Sequence, residues 1–167
     1  MNITTTTAIP QQTEISQHLR GADFHDCYTT DLAPTPLSAL VLYLRVAATT
    51  PGWVNAAMAL RNRIVQLVGL KNLGLLSDID PAKPASAYQV GDRVGIFTIN
   101  YLSEQEVILG DSDKHLNVSL SVCKLPGKVA ISTVVHTRNA LGRLYMLFVA
   151  PAHRRIVPAT LRKASFL

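Results

Sequence analysis

HLNVSLSVC, residues 115–123, is the stretch that decides the fold. Leu116, Val118, Leu120 and Val122 alternate with His115, Asn117, Ser119, Ser121 and Cys123. Successive side chains of a strand point to opposite faces, so this period of two predicts a β-strand with one apolar face. Pro126-Gly127 follows as turn chemistry, and Val129 to His136 returns as the partner strand. Upstream, Gly110-Asp111-Ser112-Asp113 reads as another turn, with strands before it at Gln105 to Leu109 and Arg93 to Asn100. Strands this closely spaced pair antiparallel.

Outside this block the pattern changes. Ala22 to Leu32 alternates loosely, carries Phe24 and Tyr28, and predicts a first strand. Thr35-Pro36 supplies a helix cap and a proline at the first helical position, and Leu37, Leu40, Val41 and Leu44 predict a helix over Leu37 to Ala48. Thr50-Pro51 repeats the start signal for a second helix, with Gly69 as its stop. Leu70 to Gly91, with two glycines and two prolines, reads as a long loop. From Leu141 the period is helical again: Leu141, Tyr145, Phe148, Ala152, Ile156 and Ala159 fall on one face of a helix of about 25 residues. Pro151 and Pro158 are expected to kink it. The order predicts an α+β domain, a curved antiparallel sheet gripping a long C-terminal helix. Five strand segments are legible.

The chain has 167 residues, enough for one domain with its own core. Residues 22–167 read as that domain, and residues 1–21, rich in Thr and Gln, as a mobile N-terminal extension without a secretory h-region. Hydrophobic residues at 48% and charged residues at 16% exclude a disordered chain. No apolar run reaches the roughly 18 residues of a membrane span. Cys27 and Cys123 read as reduced, buried thiols of a cytoplasmic protein. The net charge of +5 is uneven. Arg138, Arg143, Arg154, Arg155, Arg162 and Lys163 make the C-terminal segment +6, leaving −1 on the remainder. Such a segment reads as a solvated helix face or as a surface for anionic partners. Nucleic acid is not an expected partner, since the few aromatics are not interleaved with the basic residues.

Several stretches together resemble the uncharacterised bacterial family known as domain of unknown function 2867. They are PGWVNAAMALRNRIVQLVGL (Pro51 to Leu70), VGIF (Val94 to Phe97), EVILGDSDKHLNVSLSV (Glu106 to Val122), STVVHTRNALGRLY (Ser132 to Tyr145) and PAHRRIV (Pro151 to Val157). The resemblance implies no established activity. The order of elements is also similar to the START-like helix-grip fold, whose members commonly bind lipids, sterols or other apolar molecules. That fold usually has seven strands, so five would be a reduced sheet. The analogy points to a fold and leaves function to the site.

Candidate site residues follow from placement. Arg61 falls in the middle of the apolar face made by Val54, Ala57, Met58, Ile64, Val65 and Val68. A guanidinium there needs an anion: an internal carboxylate, with Glu106, Asp111 or Asp113 as candidates, or a ligand's acidic head. Asp111, Asp113 and His115 alternate, so on an extended chain they project to one side, as a polar pocket rim, a metal site or an acid–base group; as a turn, the aspartates would bind backbone donors. His136 and His153 could meet across the corner between the last strand and the helix, or serve as structural groups. A pocket between sheet and helix would be lined by Ile96, Phe97, Leu120, Tyr145 and Phe148. There is no phosphate-cradling glycine loop, nucleophile elbow, paired C-x-x-C or H-E-x-x-H, and no cofactor or metal is expected. The sequence thus reads first as a non-catalytic binder of a small, largely apolar or amphipathic ligand, with Arg61, Glu106, Asp113, His115, Phe97, Tyr145 and Phe148 as ligand-binding candidates. The alternatives are a structural or protein-interaction domain with a filled core, and an enzyme using Arg61, Asp113 and His115.

Overall fold

The computed structural model describes residues 3–6, 8–67, 74 and 78–164. Seven antiparallel strands form one sheet: β1 Ile3–Thr6, β2 Phe24–Asp31, β3 Arg93–Val94, β4 Phe97–Leu102, β5 Glu106–Ser112, β6 Leu116–Leu125 and β7 Lys128–Thr137. Their order is β1-β2-β7-β6-β5-β4-β3, which puts β6, the strand of cleanest alternation, in the centre. Helices α1 (Ala39–Ala48) and α2 (Gly52–Leu67) follow β2, and α3 (Ala140–Ala164) follows β7. The architecture is α+β, a curved sheet gripping its C-terminal helix.

The sheet is not reduced. The sequence reading missed β1, and it took Arg93 to Asn100 as a single strand. That stretch is a hairpin: Arg93 pairs with Thr98 and Val94 with Phe97 across Gly95-Ile96. Gly95 has φ 57°, a left-handed conformation that glycine adopts without a Cβ penalty. Between β5 and β6 the strand runs further than expected, to Ser112, and the turn is at Asp113-Lys114. The first helix starts two residues later than expected, because Ser38 rather than Thr35 is its cap, accepting from the Val41 amide at 3.4 Å. Gly69, the expected stop of α2, lies outside the described residues, as does part of the long loop. Both prolines lie within the continuous α3.

Each face of the sheet has its own core, as the two-residue period requires. On the inner face Tyr28, Val107, Leu109, Val122 and Ile131 pack against Leu40, Leu42, Tyr43 and Ala47 of α1 and Leu161 of α3. On the outer face Cys27, Ile108, Ala130 and Val134 pack against Ile9 and Ile15. Within the expected N-terminal extension over residues 1–21, Ile15 is fully buried and Ile9 nearly so. The segment's anchor is Glu106, which is 4% exposed and projects from the outer face of β5. The carboxylate accepts from the Glu14 amide at 2.6 Å, the Ile15 amide at 3.2 Å and the Ser121 hydroxyl at 2.6 Å. A carboxylate at the start of the 3-10 turn Glu14–Leu19 satisfies amides that have no partner within the turn.

Candidate functional site

Strand register lays one row of side chains across the inner face. Leu109 of β5 pairs with Leu120 of β6, Leu120 with Thr133 of β7, and Thr133 with Asp26 of β2. The row begins apolar and ends polar. Over its polar end stands His153 of α3. Its Nδ1 is 3.1 Å from Asp26 Oδ2 and its Nε2 is 3.3 Å from Thr133 Oγ1. Phe24 meets the imidazole edge-on, with ring centroids 5.9 Å apart, and the tilted Tyr28 ring lies 6.4 Å away.

Burial makes this cluster unusual. Asp26 and Thr133 are each 4% exposed, whereas the His153 side chain keeps 22%. Asp26 Oδ1 and the Tyr28 hydroxyl are buried without a hydrogen-bond partner. The phenol is pushed up to about 12, first by burial, then by the charge of the adjacent Asp26 carboxylate and by a weak hydrogen-bonding approach to it, although no bond between the two meets full hydrogen-bond geometry. Buried polar atoms are normally paired, because an unpaired one costs about 1–3 kcal/mol.

The row is less covered at Leu120, next to Val118 of the adjacent row. Val118 and Leu120 point inward from the central strand, yet both remain partly exposed, as does Phe97 on β4. Their neighbours Leu109 and Val122 are buried. The amino-terminal end of α3 sits close by. Gly142 lies against the His115 carbonyl at the head of β6, so tightly that a Cβ there would overlap it. Tyr145, one turn further, accepts a hydrogen bond from Arg61 Nε at 2.9 Å, and the guanidinium carbon lies 5.3 Å from the tyrosine ring centroid. Arg61 also donates to Asn62 Oδ1 at 2.9 Å, and Asn62 donates to the Gly74 carbonyl at 2.9 Å. Arg61 thus joins α2 to α3.

The expected site residues are dispersed. Glu106 is on the outer face holding the N-terminal segment, so it is no partner for Arg61 on the helix side. Asp113 is turn chemistry: its Oδ1 accepts from the His115 amide at 2.7 Å and the Leu116 amide at 2.9 Å. His115 turns to Asn139, with Nδ1 2.9 Å from Nδ2 and 3.2 Å from Oδ1 of that side chain. Asn139 Oδ1 accepts from the Gly142 amide at 3.0 Å, so this contact organises the start of α3. Asp111 pairs with Val118 in the β5–β6 ladder. Among the described residues no group of three His, Cys, Asp or Glu side chains could hold a metal ion. Phe97, Leu120 and Tyr145 remain around the less covered region. Phe148 does not: it is 73% exposed on the far side of α3, beside Leu144 at 52% and Leu147 at 71%. The better-covered stripe of α3 runs instead through the half-buried Tyr145, Val149, His153 and Ile156 between the buried Gly142 and the buried Thr160 and Leu161, one residue on from the expected phase at most turns.

His136 and His153 do not meet. His136 Nε2 lies 3.1 Å from the Arg20 carbonyl. The Asp26–His153–Thr133 cluster was the feature that sequence reasoning missed. The available signal was an alternating run, Phe24, Asp26, Tyr28, Thr30, that puts polar groups on the face holding Phe24 and Tyr28. The two thiols are buried and unpaired, and burial pushes both up, that of Cys123 to about 12.

No helix among the described residues is long and apolar enough to cross a membrane. Neither a curated protein nor a solved structure matches the chain. Residues 18–160 match the model of the family described as Protein of unknown function (DUF2867), a span that includes strands β2 to β7 and the His153 cluster, and the chain belongs to that family.

Proposed function

We propose that the protein binds a small, largely apolar ligand between the inner face of the sheet and α3. One observation carries this reading: Val118 and Leu120, inward residues of the central strand, are incompletely covered although buried residues flank them. Inward positions at the middle of a packed sheet are normally closed off, and concave, apolar, part-open surfaces are where small molecules bind. Phe97 and Tyr145 extend the apolar surface, and Arg61 supplies a cationic rim. The helix-grip order, similar to START-like proteins, adds support by analogy. Unpaired cysteines fit a reducing, cytosolic setting. Arg61, Asp113 and His115, the residues of the enzyme alternative, each bond to different partners, and this favours the binding reading over that one.

Thermal-shift screening against fatty alcohols, fatty acids, sterols and aromatic acids tests the proposal. A ligand that binds the native state raises the midpoint with concentration. Leu120→Trp, which fills the open position, should abolish the shift while the protein stays folded. Failure of every class to stabilise the wild type would reject the reading.

The protein-interaction reading also has an observation in its favour. Leu144, Leu147 and Phe148 form an exposed apolar stripe on α3, and contiguous patches of this kind mark contact surfaces. Sedimentation of the wild type against Leu147→Glu tests it first as self-association; identical monomeric profiles would count against self-association through that stripe.

A further inference from the structure

Three buried polar side-chain atoms on β2 have no hydrogen-bond partner, at Asp26, Tyr28 and Thr30, and the first two lie beside His153. Asp26 Oδ2 is held by His153, whereas Asp26 Oδ1 and the Tyr28 hydroxyl are unpartnered, in residues 4% and 1% exposed. They face the same side of β2, two positions apart, and the carboxylate is near enough to act on the phenol. Leaving such atoms unsatisfied weakens the fold, and a hydrophobic pair of similar shape would not.

The register says what else is near. Asp26 ends the row that begins at Leu109 and Leu120, and it stands two strands from Leu120, about 10 Å. Thr133 stands between them under His153, so a molecule resting on Val118 and Leu120 and extending along the row reaches Asp26 by displacing the His153–Thr133 contact. His153 roofs that end and is the part of the cluster that solvent reaches, at 22% against 6% for the Asp26 side chain.

Chemistry then selects the head group. Asp26 Oδ1 accepts only, when ionised, and the phenol can both donate and accept. Among the described residues the side chain that holds Asp26 is His153, and no lysine or arginine hydrogen-bonds to it. An anionic head would meet the Asp26 carboxylate at close range, whereas the exposed Arg154 is the least of the influences on Tyr28. A hydroxyl or ammonium donates to Asp26 and leaves the phenol a place to bond.

We propose that Asp26 and Tyr28, roofed by His153, form a head-group subsite that takes the hydrogen-bond-donating end, a hydroxyl or an ammonium, of an otherwise apolar ligand. The proposal rests on the ligand reading above and names the polar end of the same molecule. His153 is a positioning residue, fixing the carboxylate through Oδ2 so that Oδ1 faces the ligand.

Calorimetric titration of the full chain with 1-octanol, octylammonium and octanoate, matched in chain length, tests it. At least one of the two donors should bind about tenfold or more tightly than octanoate, the value of one hydrogen bond to a charged group. The tighter of the two identifies the head. Tyr28→Phe removes an unpartnered hydroxyl, so the folded protein should hold or raise its midpoint while the donor preference falls severalfold. Thr30→Val is the control. Its hydroxyl is also buried and unpartnered, but it lies one further step along β2, about 7 Å away, and its loss should leave the preference intact. Equal binding of the three probes overturns the subsite and leaves apolar binding standing. Tightest binding of octanoate does the same and moves the head to Arg61. An unchanged preference in Tyr28→Phe means that the buried atoms serve water only, and the subsite falls. Binding of none of the three removes the subsite and the ligand reading together.

Discussion

Replacing Glu106 by Gln should detach the N-terminal segment from the sheet. The carboxylate takes three donors, two of them backbone amides at 2.6 and 3.2 Å, in a residue 4% exposed. A carboxamide keeps one acceptor oxygen and turns an NH2 group toward donors. At best it retains two of the three bonds, and those become neutral. Losing one charge-assisted bond costs about 1.5–3 kcal/mol, and the stranded donor adds about 1–3 kcal/mol. We expect a loss of about 3–5 kcal/mol if the segment stays in place. If the segment releases instead, the loss is bounded by what it buries: Ile15 and Ile9 contribute about 1.5–3 kcal/mol each. Either route is a large fraction of a typical domain stability of about 5–15 kcal/mol. Urea unfolding measures the loss, and hydrogen exchange at the Glu14 and Ile15 amides separates the routes. Limited proteolysis within residues 8–21 should become fast in the variant only. A variant with wild-type midpoint and wild-type amide protection would refute the assignment of Glu106 as anchor.

Three further outcomes follow from the packing. Gly142→Ala should cost about 1–3 kcal/mol in urea unfolding, because the added methyl overlaps the His115 carbonyl and must push α3 off the head of β6. The raised pKa of Tyr28 makes stability pH-dependent in the alkaline range. Its folded pKa of about 12 exceeds the ordinary 10, so the unfolded chain ionises first; the contribution is complete below pH 10 and is lost as pH rises toward 12. Tyr43 is raised the same way by burial, so Tyr28→Phe should flatten, not abolish, the alkaline decline seen by circular dichroism. Converting Arg143, Arg154 and Arg162 together to Gln should move the urea midpoint by under about 1 kcal/mol, since all three are exposed on α3. The wild type should show no salt-sensitive binding to anionic vesicles at physiological ionic strength; such binding, lost in the triple variant, would put the basic helix at the centre of function.

Much of the fold was legible because local chemistry and tertiary role agree there. The β6 alternation, the Pro126-Gly127 turn and the amphipathic final helix are all found in place. The misses have separate physical causes. Residues 93–94 form a strand of two residues, too short to carry a period, and the turn after it hides in an apolar VGIF run. The N-terminal segment has few apolar residues, and its attachment depends on Glu106, which lies 92 residues from Glu14. No local pattern reports a partner at that separation. Asp113 and His115 were flagged on alternation, but the chain turns between them and the alternation does not apply.

The rotated phase of α3 has a different cause, and it bears on function. The expected stripe collected the most apolar side chains, Leu141, Tyr145, Phe148 and Ala152. That choice assumes an apolar sheet beneath. The inner face instead carries Asp26, Thr133 and Thr30 beside its aliphatic residues, all at or below 4% exposure. A helix laid over polar groups must offer polar partners, since each stranded one costs as much as a lost hydrogen bond. His153 meets that need, and burying it turns Leu144, Leu147 and Phe148 outward. The fold has accepted an exposed apolar stripe and unpartnered atoms at Asp26 and Tyr28 in order to keep this cluster. A core designed only for stability would have chosen the other phase. The place where hydrophobic patterning fails is therefore the place to look for the ligand, and a variant that removes the conflict sharpens the point. Asp26→Leu with Thr133→Val and His153→Leu would leave an apolar interface of similar volume. It should match or exceed the wild-type urea midpoint and lose the preference for donor-bearing ligands. A sharp loss of stability in that triple variant would show that the polar cluster holds the fold together and would return it to a structural role.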